Sequence, residues 1–326
     1  MGLLTSLLLG HLLVHPALAQ EEGQLAISAF ADLLLPASSS TESGTEFRVN
    51  QAEVDLEGVM APEIVAAMAL AYDPDAETFA LAVLALEMPL FSRANFTGKM
   101  TVGQFDVPFG IDYQVYASVD RRLVNGPLFL DCSHEGWNDL GARVKLQRGQ
   151  FGADVFVING NQCGRGVVDP IKFVERLDIK RAEGMRGFFT ATETLELGVS
   201  GALFHDEAGN HPMTLVGADF QMAWGAFSAK GELVAQNLDR DTPGEVTNTG
   251  YYVQGMYEFG RYYGIARYGR WNPELAEAET PERLSLGAGY VVREGLEFRL
   301  QHDAGLHDLE DTTWVQMVMN FGSLGH

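Results

Sequence analysis

Hydrophobic residues recur at every second position over much of the chain, the pattern of strands with one face in an apolar environment. In 295–303, Leu296, Phe298 and Leu300 alternate with Glu297, Arg299 and Gln301. In 194–204, Leu195, Leu197, Val199 and Leu203 alternate with Glu196, Gly198 and Ser200. In 139–147, Leu140, Ala142, Val144 and Leu146 alternate with Asp139, Arg143, Lys145 and Gln147. Sixteen such segments can be marked: 25–34, 46–58, 64–73, 78–88, 96–106, 137–147, 151–159, 186–192, 194–205, 213–224, 227–238, 250–259, 262–272, 282–293, 296–306 and 311–321. The alanine-rich pair 64–73 and 78–88 also suits helix by propensity, and without it the count is fourteen. Segment 262–272 has no clean face, because Arg267 or Arg270 competes with aromatics on either choice.

Most segments run to about ten residues, the length a tilted strand needs to cross a bilayer, whereas soluble sandwiches use strands of about five or six. The links segregate by length. Those after even-numbered segments are mostly short, as at Glu193, Gly260-Arg261 and Glu294-Gly295. Those after odd-numbered segments are longer and polar, as at PASSSTESGTE, 107–136, 160–185 and DRDTPGEVTN. The pattern predicts an all-β fold: a transmembrane antiparallel β-barrel of about sixteen strands (fourteen as the alternative), with short periplasmic turns and long external loops.

The start of the chain changes the compartment. Residues 2–19 form an apolar run ending Ala17-Leu18-Ala19, which predicts a signal peptide over 1–19, cleaved before Gln20, and a barrel over 20–326. No lysine or arginine precedes the run. No later stretch of about 18 apolar residues exists to make a membrane helix. Lys and Arg number 22 against 44 Asp and Glu, a formal net charge of -22, which argues against nucleic acid as a partner. Two cysteines exclude a disulfide-dense scaffold and a cysteine-based zinc cluster.

The stretch VGQFDVPFG (102–110) resembles the G-x-F-x-x-PFG motif of the phosphate-selective porins of the O and P type. VDRRLVNGP (119–127), DLGARVKL followed by FGADVFVINGN, TGYYVQGMYEF (249–259) and the closing WVQMVMNF (314–321) are similar to that family in the same order. Two features depart from it: GSLGH follows Phe321, and the acidic chain shows no lysine-rich ladder. The resemblance implies a porin in the outer membrane of a Gram-negative-type bacterium, in contact with outer-membrane lipid, and a homotrimer. It also implies that the third external loop folds into the lumen.

A sixteen-stranded barrel leaves a water-filled lumen. The faces opposite the apolar stripe predict a wall that includes Lys99, Arg143, Lys145, Asp219, Lys230, Glu232, Glu258 and Arg299. Asp154, Glu196, Arg293, Glu297 and Asp303 fall on the same faces, six basic against seven acidic in all. The loop over 107–136 is the expected constriction, with Asp112, Asp120, Arg121, Arg122, Asp131 and Glu135 as its charged candidates. Opposed charges there would filter solutes by charge and dipole; anchoring the loop to the wall is the other role these residues could play. Cys132 and Cys163 fall in external loops two strands apart and are expected to form a disulfide, with two free thiols as the alternative.

No G-x-S-x-G, H-E-x-x-H or P-loop occurs, so no enzyme, cofactor or metal is expected. The expected function is passive diffusion of small hydrophilic solutes and ions, weakly selective or modestly cation-preferring. The alternatives are a phosphate- or anion-selective porin and a non-channel structural or adhesive barrel.

Overall fold

The computed structural model describes residues 25–38, 46–74, 77–134, 136–160, 179–239, 246–274, 280–306 and 309–322. The expected signal segment 1–19 and Cys163 lie outside them. Sixteen strands follow in chain order. They are β1 (Leu25–Ser38), β2 (Arg48–Ala61), β3 (Ile64–Asp73), β4 (Thr78–Arg93), β5 (Phe96–Asp106), β6 (Asn138–Arg148), β7 (Phe151–Ile158) and β8 (Arg181–Thr192). The second half comprises β9 (Leu195–His205), β10 (Met213–Trp224), β11 (Phe227–Leu238), β12 (Val246–Phe259), β13 (Tyr262–Asn272), β14 (Glu282–Arg293), β15 (Leu296–Leu306) and β16 (Thr312–Gly322). Each pairs with its chain neighbours, and β1 pairs antiparallel with β16 to close the barrel, with Phe30 opposite Asn320. The count is sixteen, and the fourteen-strand alternative falls.

Strands β3 and β4 form despite their alanine content, because each completes a ladder with a neighbour on both sides. Ten residues of β3 would be too short for a helix to span a bilayer but suffice for a strand. Strand β8 begins at Arg181, five residues before the alternation becomes visible at 186. There RAEGM places Ala182 and Gly184 on the inner face, and such small residues give no contrast with the other face.

The outer face is an apolar belt that includes Val199, Val253, Leu286 and Leu300, all exposed. Aromatics gather on that face beside the short turns, where Phe151 stacks on Phe189 and Tyr262 on Tyr290, each pair 4.8 Å between centroids. The turns at that end use glycines at positive φ, as at Gly149 and Gly260.

Candidate functional site

The link between β5 and β6 does not extend away from the barrel. It turns inward and lies against the inside of the wall. Its base is closed by the Val107 N–H, which donates to the Trp137 carbonyl at 2.8 Å. From there Val107, Phe109, Phe129, Leu130 and Trp137 pack into one apolar cluster with the inward side chains Phe156, Ile158, Phe204, Leu215, Val234 and Trp271. Trp137 stacks on Phe204 at 5.2 Å and Phe129 on Tyr252 at 6.0 Å. The inner face is therefore polar only in part. On β7, β9, β10 and β11 the half towards the long loops is apolar apart from Gln236, and the inserted loop covers it.

Beyond this cluster polar groups fix the loop's course. The Gly110 N–H donates to Ser200 Oγ at 3.0 Å and the Ile111 N–H to Glu232 Oε2 at 3.1 Å. Gly110 has φ +63°, and a Cβ there would lie 2.0 Å from the Glu232 carboxylate, so both the backbone and the close approach demand glycine. This accounts for the glycine of the PFG sequence. Lys230 Nζ donates to Asp112 at 2.7 Å. Burial pushes the Asp112 carboxyl up, but the Lys230 ammonium, together with Tyr252 and Arg267, outweighs it and holds the group below its ordinary range.

The loop then crosses to the opposite wall. The Ser118 N–H donates to Gln51 on β2 at 2.7 Å, and Arg299 on β15 donates to the Ser118 carbonyl at 2.7 Å. Arg122 pairs with Glu297, and its guanidinium lies 5.4 Å from the Tyr263 ring centroid. Asn125 donates to Asp303 at 2.7 Å, and Arg267 on β13 donates to the Asn125 side chain at 2.8 Å and to the Gly126 carbonyl at 2.7 Å. A single helical turn, α1 (Leu130–Ser133), leads back to β6.

The expected constriction residues therefore divide. Asp112 and Arg122 bond to the wall. Asp120 is exposed and Arg121 half-buried, in a turn where both amides donate to the Ala117 carbonyl. The side chains of Asp131, Cys132 and Glu135 lie outside the described residues, as does any Cys132–Cys163 bond. Among the expected wall residues, Lys99 pairs with Glu87 at 2.6 Å and Arg143 lies 3.8 Å from Asp154. Lys145 stands between Lys99 and Asp154 in register. Asp219 accepts from Arg186 at 2.7 Å, Glu258 faces Tyr263 in register on the inner face, and Arg299 also bonds Glu297 at 2.6 Å.

Several residues of the site escape the sequence reading. Arg186 lies in the part of β8 where alternation is just emerging, and Arg267 in the strand without a clean face. His134 sits in the loop, which carries no periodic signal. The register also puts Glu53, Asp55 and Glu57 on the inner face of β2, opposite Phe30, Ser28 and Ala26. The alternation of EVDLE across 53–57 carries that signal. Beside this acidic column, β3 turns Ala67, Ala69 and Ala71 inward, and beyond it lie the basic side chains of β5 and β6.

The architecture is thus a closed sixteen-strand barrel with an apolar exterior, a partly charged interior and, among the described residues, one loop folded inside. No known family's sequence profile matches the chain, and no curated protein is similar to it in sequence. Solved structures share the fold. The Salmonella typhi OmpF complex with daunomycin aligns over 92% of this chain and 98% of its own, with a TM-score of 0.65 at 10% identity. The trimer form of in-vitro folded OmpT of Vibrio cholerae aligns over 92% and 100%, with a TM-score of 0.62 at 10% identity. A mutant porin of Rh. blastica aligns over 91% and 99%, with a TM-score of 0.54 at 14% identity.

Proposed function

We propose that the protein is an outer-membrane porin, a passive diffusion channel for small hydrophilic solutes and ions with a modest preference for cations. The observation that carries this reading is the closed barrel of sixteen strands, charged inside and apolar outside, with a loop drawn into its lumen. An eight-strand barrel fills its interior with side chains, whereas sixteen strands enclose water. The apolar outer belt and its aromatic border suit a bilayer, and the apolar run at the start of the chain suits export. The constriction is the space left beside the inserted loop. Asp120, Arg121 and Arg122 lie on the loop, and Lys99, Arg143 and Lys145 lie on the wall.

Cation preference rests on Asp55 and Glu57 of the acidic column, since an acidic wall concentrates mobile cations. Among the inward basic groups, Lys99 pairs with Glu87, Arg186 with Asp219, Lys230 with Asp112 and Arg299 with Glu297. That pairing counts against the phosphate selectivity implied by the resemblance of 102–110. Assembly as a homotrimer accompanies the porin reading and draws on the trimeric form named for the Vibrio cholerae neighbour.

Reconstitution in a planar bilayer tests the proposal. Stepwise conductance with a cation-to-anion permeability ratio modestly above one is expected. Absence of conductance would favour a structural or adhesive barrel, and block by micromolar phosphate would favour the anion-selective reading.

A further inference from the structure

Arg267 on β13, Ser285 on β14 and Asp303 on β15 form one inward row in register. All three are buried, at 5%, 0% and 2% exposure. The row has a cation at one end and a carboxylate at the other, and Asn125 of the inserted loop stands between them. Asn125 Nδ2 donates to Asp303 Oδ2 at 2.7 Å. Asn125 Oδ1 accepts from Arg267 at 2.8 Å and from Gln301 Nε2 at 2.9 Å. Arg267 also donates to the main-chain carbonyls of Asn125 and Gly126, at 3.1 and 2.7 Å. Among the described residues, the loop amide is what links this arginine to this carboxylate.

The partners fix which way each amide points. A guanidinium only donates, so the Asn125 atom that faces Arg267 is the oxygen. Gln301 Oε1 accepts from the Val124 N–H at 2.6 Å, so the amino group of Gln301 faces Asn125 and Asp303. That amino group donates to both oxygens of Asp303, at 2.8 and 2.9 Å, and the Ser285 hydroxyl donates to Oδ1 as well. Both Asp303 oxygens are therefore acceptors, and Asn125 must turn its donor towards them.

We propose that Arg267, Gln301 and Asp303 form a wall site that selects a carboxamide, and that Asn125 is thereby the positioning residue for the limb of the loop that crosses to β13–β15. The site takes one planar group that accepts on one side and donates on the other. Aspartate has the same shape but lacks the donor, so at position 125 it would set two carboxylates against each other. The near limb of the loop is held separately, by Glu232 at Ile111 and by Lys230 at Asp112. The carboxamide site therefore governs the course of 118–127 across the lumen. Its consequence for solute passage rests on the porin reading.

The same polarity dictates a repair. In the double variant Asn125→Asp with Asp303→Asn, carboxylate and carboxamide change places and the total charge is unchanged. The carboxylate at 125 then accepts from Arg267 and Gln301. The carboxamide at 303 donates to it, while its oxygen accepts from Ser285. A contact that merely filled space would be indifferent to this exchange, because all four side chains involved have the same size and shape.

Hydrogen exchange on the full mature chain in detergent, at about pH 8 where aspartate is ionised, tests this without reference to transport. Asn125→Asp should lower the protection of peptides within 117–128 by roughly tenfold or more, because buried groups lose their partners. Peptides within 107–112 should change less. Asn125→Ala, which removes the bonds without adding a like charge, should fall between Asn125→Asp and the unaltered protein. The double variant should return close to the unaltered protein. Full protection in Asn125→Asp would overturn the proposal, as would a double variant no better protected than Asn125→Asp alone. Where Asn125→Asp fails to close its barrel, closure regained in the double variant upholds the proposal, and failure of both overturns it. Single-channel recording separates this inference from the porin reading. An unaltered barrel that does not conduct removes that reading, while loss and rescue of loop protection stand without it.

Discussion

Lys230 Nζ lies 2.7 Å from Asp112 Oδ1, an ion pair between wall strand β11 and the inserted loop whose carboxylate is only 6% exposed. Removing the carboxylate leaves the partly exposed Lys230 ammonium without its partner, at a cost below the roughly 3 kcal/mol of a fully buried pair. Asp112→Asn should therefore loosen the loop while leaving the barrel closed. Loop peptides should lose hydrogen-exchange protection, and heat stability of the whole barrel should change less.

The same pair has a pH dependence of definite sign. Against the opposing effect of burial, Lys230 with Tyr252 and Arg267 holds the Asp112 carboxyl below its ordinary range. Its contribution is fully present above the ordinary carboxyl value of about 3.9 and is lost as pH falls through the depressed value. Loop protection should therefore decline at strongly acidic pH in the unaltered protein. In Asp112→Asn that acid decline should shrink.

Gly110→Ala should displace the start of the loop. The backbone there has φ +63°, which costs an L-residue roughly 1–2 kcal/mol, and the added methyl would sit 2.0 Å from the Glu232 carboxylate. Two loop amide bonds depend on that approach, Gly110 to Ser200 and Ile111 to Glu232. Limited proteolysis should cut within 107–134 faster than in the unaltered chain, and equal rates would show that the loop tolerates the change.

Trp137 packs against Phe109, Phe156 and Phe204 at the base of the loop. Its truncation to alanine should cost about 3–5 kcal/mol, because it removes a buried ring and leaves a cavity. A lowered midpoint of thermal unfolding, followed by circular dichroism, would register it. Trp224→Ala is the contrast, since that ring is 78% exposed on the outer face and leaves no cavity.

How much of this was legible depends on whether a residue's surroundings repeat along the chain. The strands were visible wherever two environments alternate, as at Leu296 to Gln301, because a membrane-exposed face and a wet face contrast at every step. The contrast vanished where the inserted loop makes the inner face apolar too. Phe204, Met213 and Leu215 are inward yet hydrophobic, and they stand beside outward Leu203 and Val216. Segments apolar on both faces at one end of a barrel strand are the trace that an inserted loop leaves in sequence. The loop's own length and its prolines and glycines showed that it was unusual. Its bonds to Gln51, Glu232, Glu297 and Asp303 join residues far apart in the chain, and no local pattern encodes them.

The acidic column of β2 gives a test of selectivity. Asp55 and Glu57 face inward, opposite Ser28 and Ala26. A unit charge acts on a mobile ion about 7 Å away in water with about 0.6 kcal/mol, a factor of about three in local concentration. Asp55→Asn with Glu57→Gln should therefore lower the local cation concentration by at most about sevenfold at low salt, and the cation-to-anion permeability ratio with it. At 1 M salt the screening length falls to about 3 Å, and the difference between variant and unaltered protein should nearly disappear. Reversal potentials across a salt gradient, measured at low and at high mean concentration, read both effects. A ratio unchanged at low salt would show that this column does not border the path taken by ions, and would move the origin of any cation preference to the loop carboxylates.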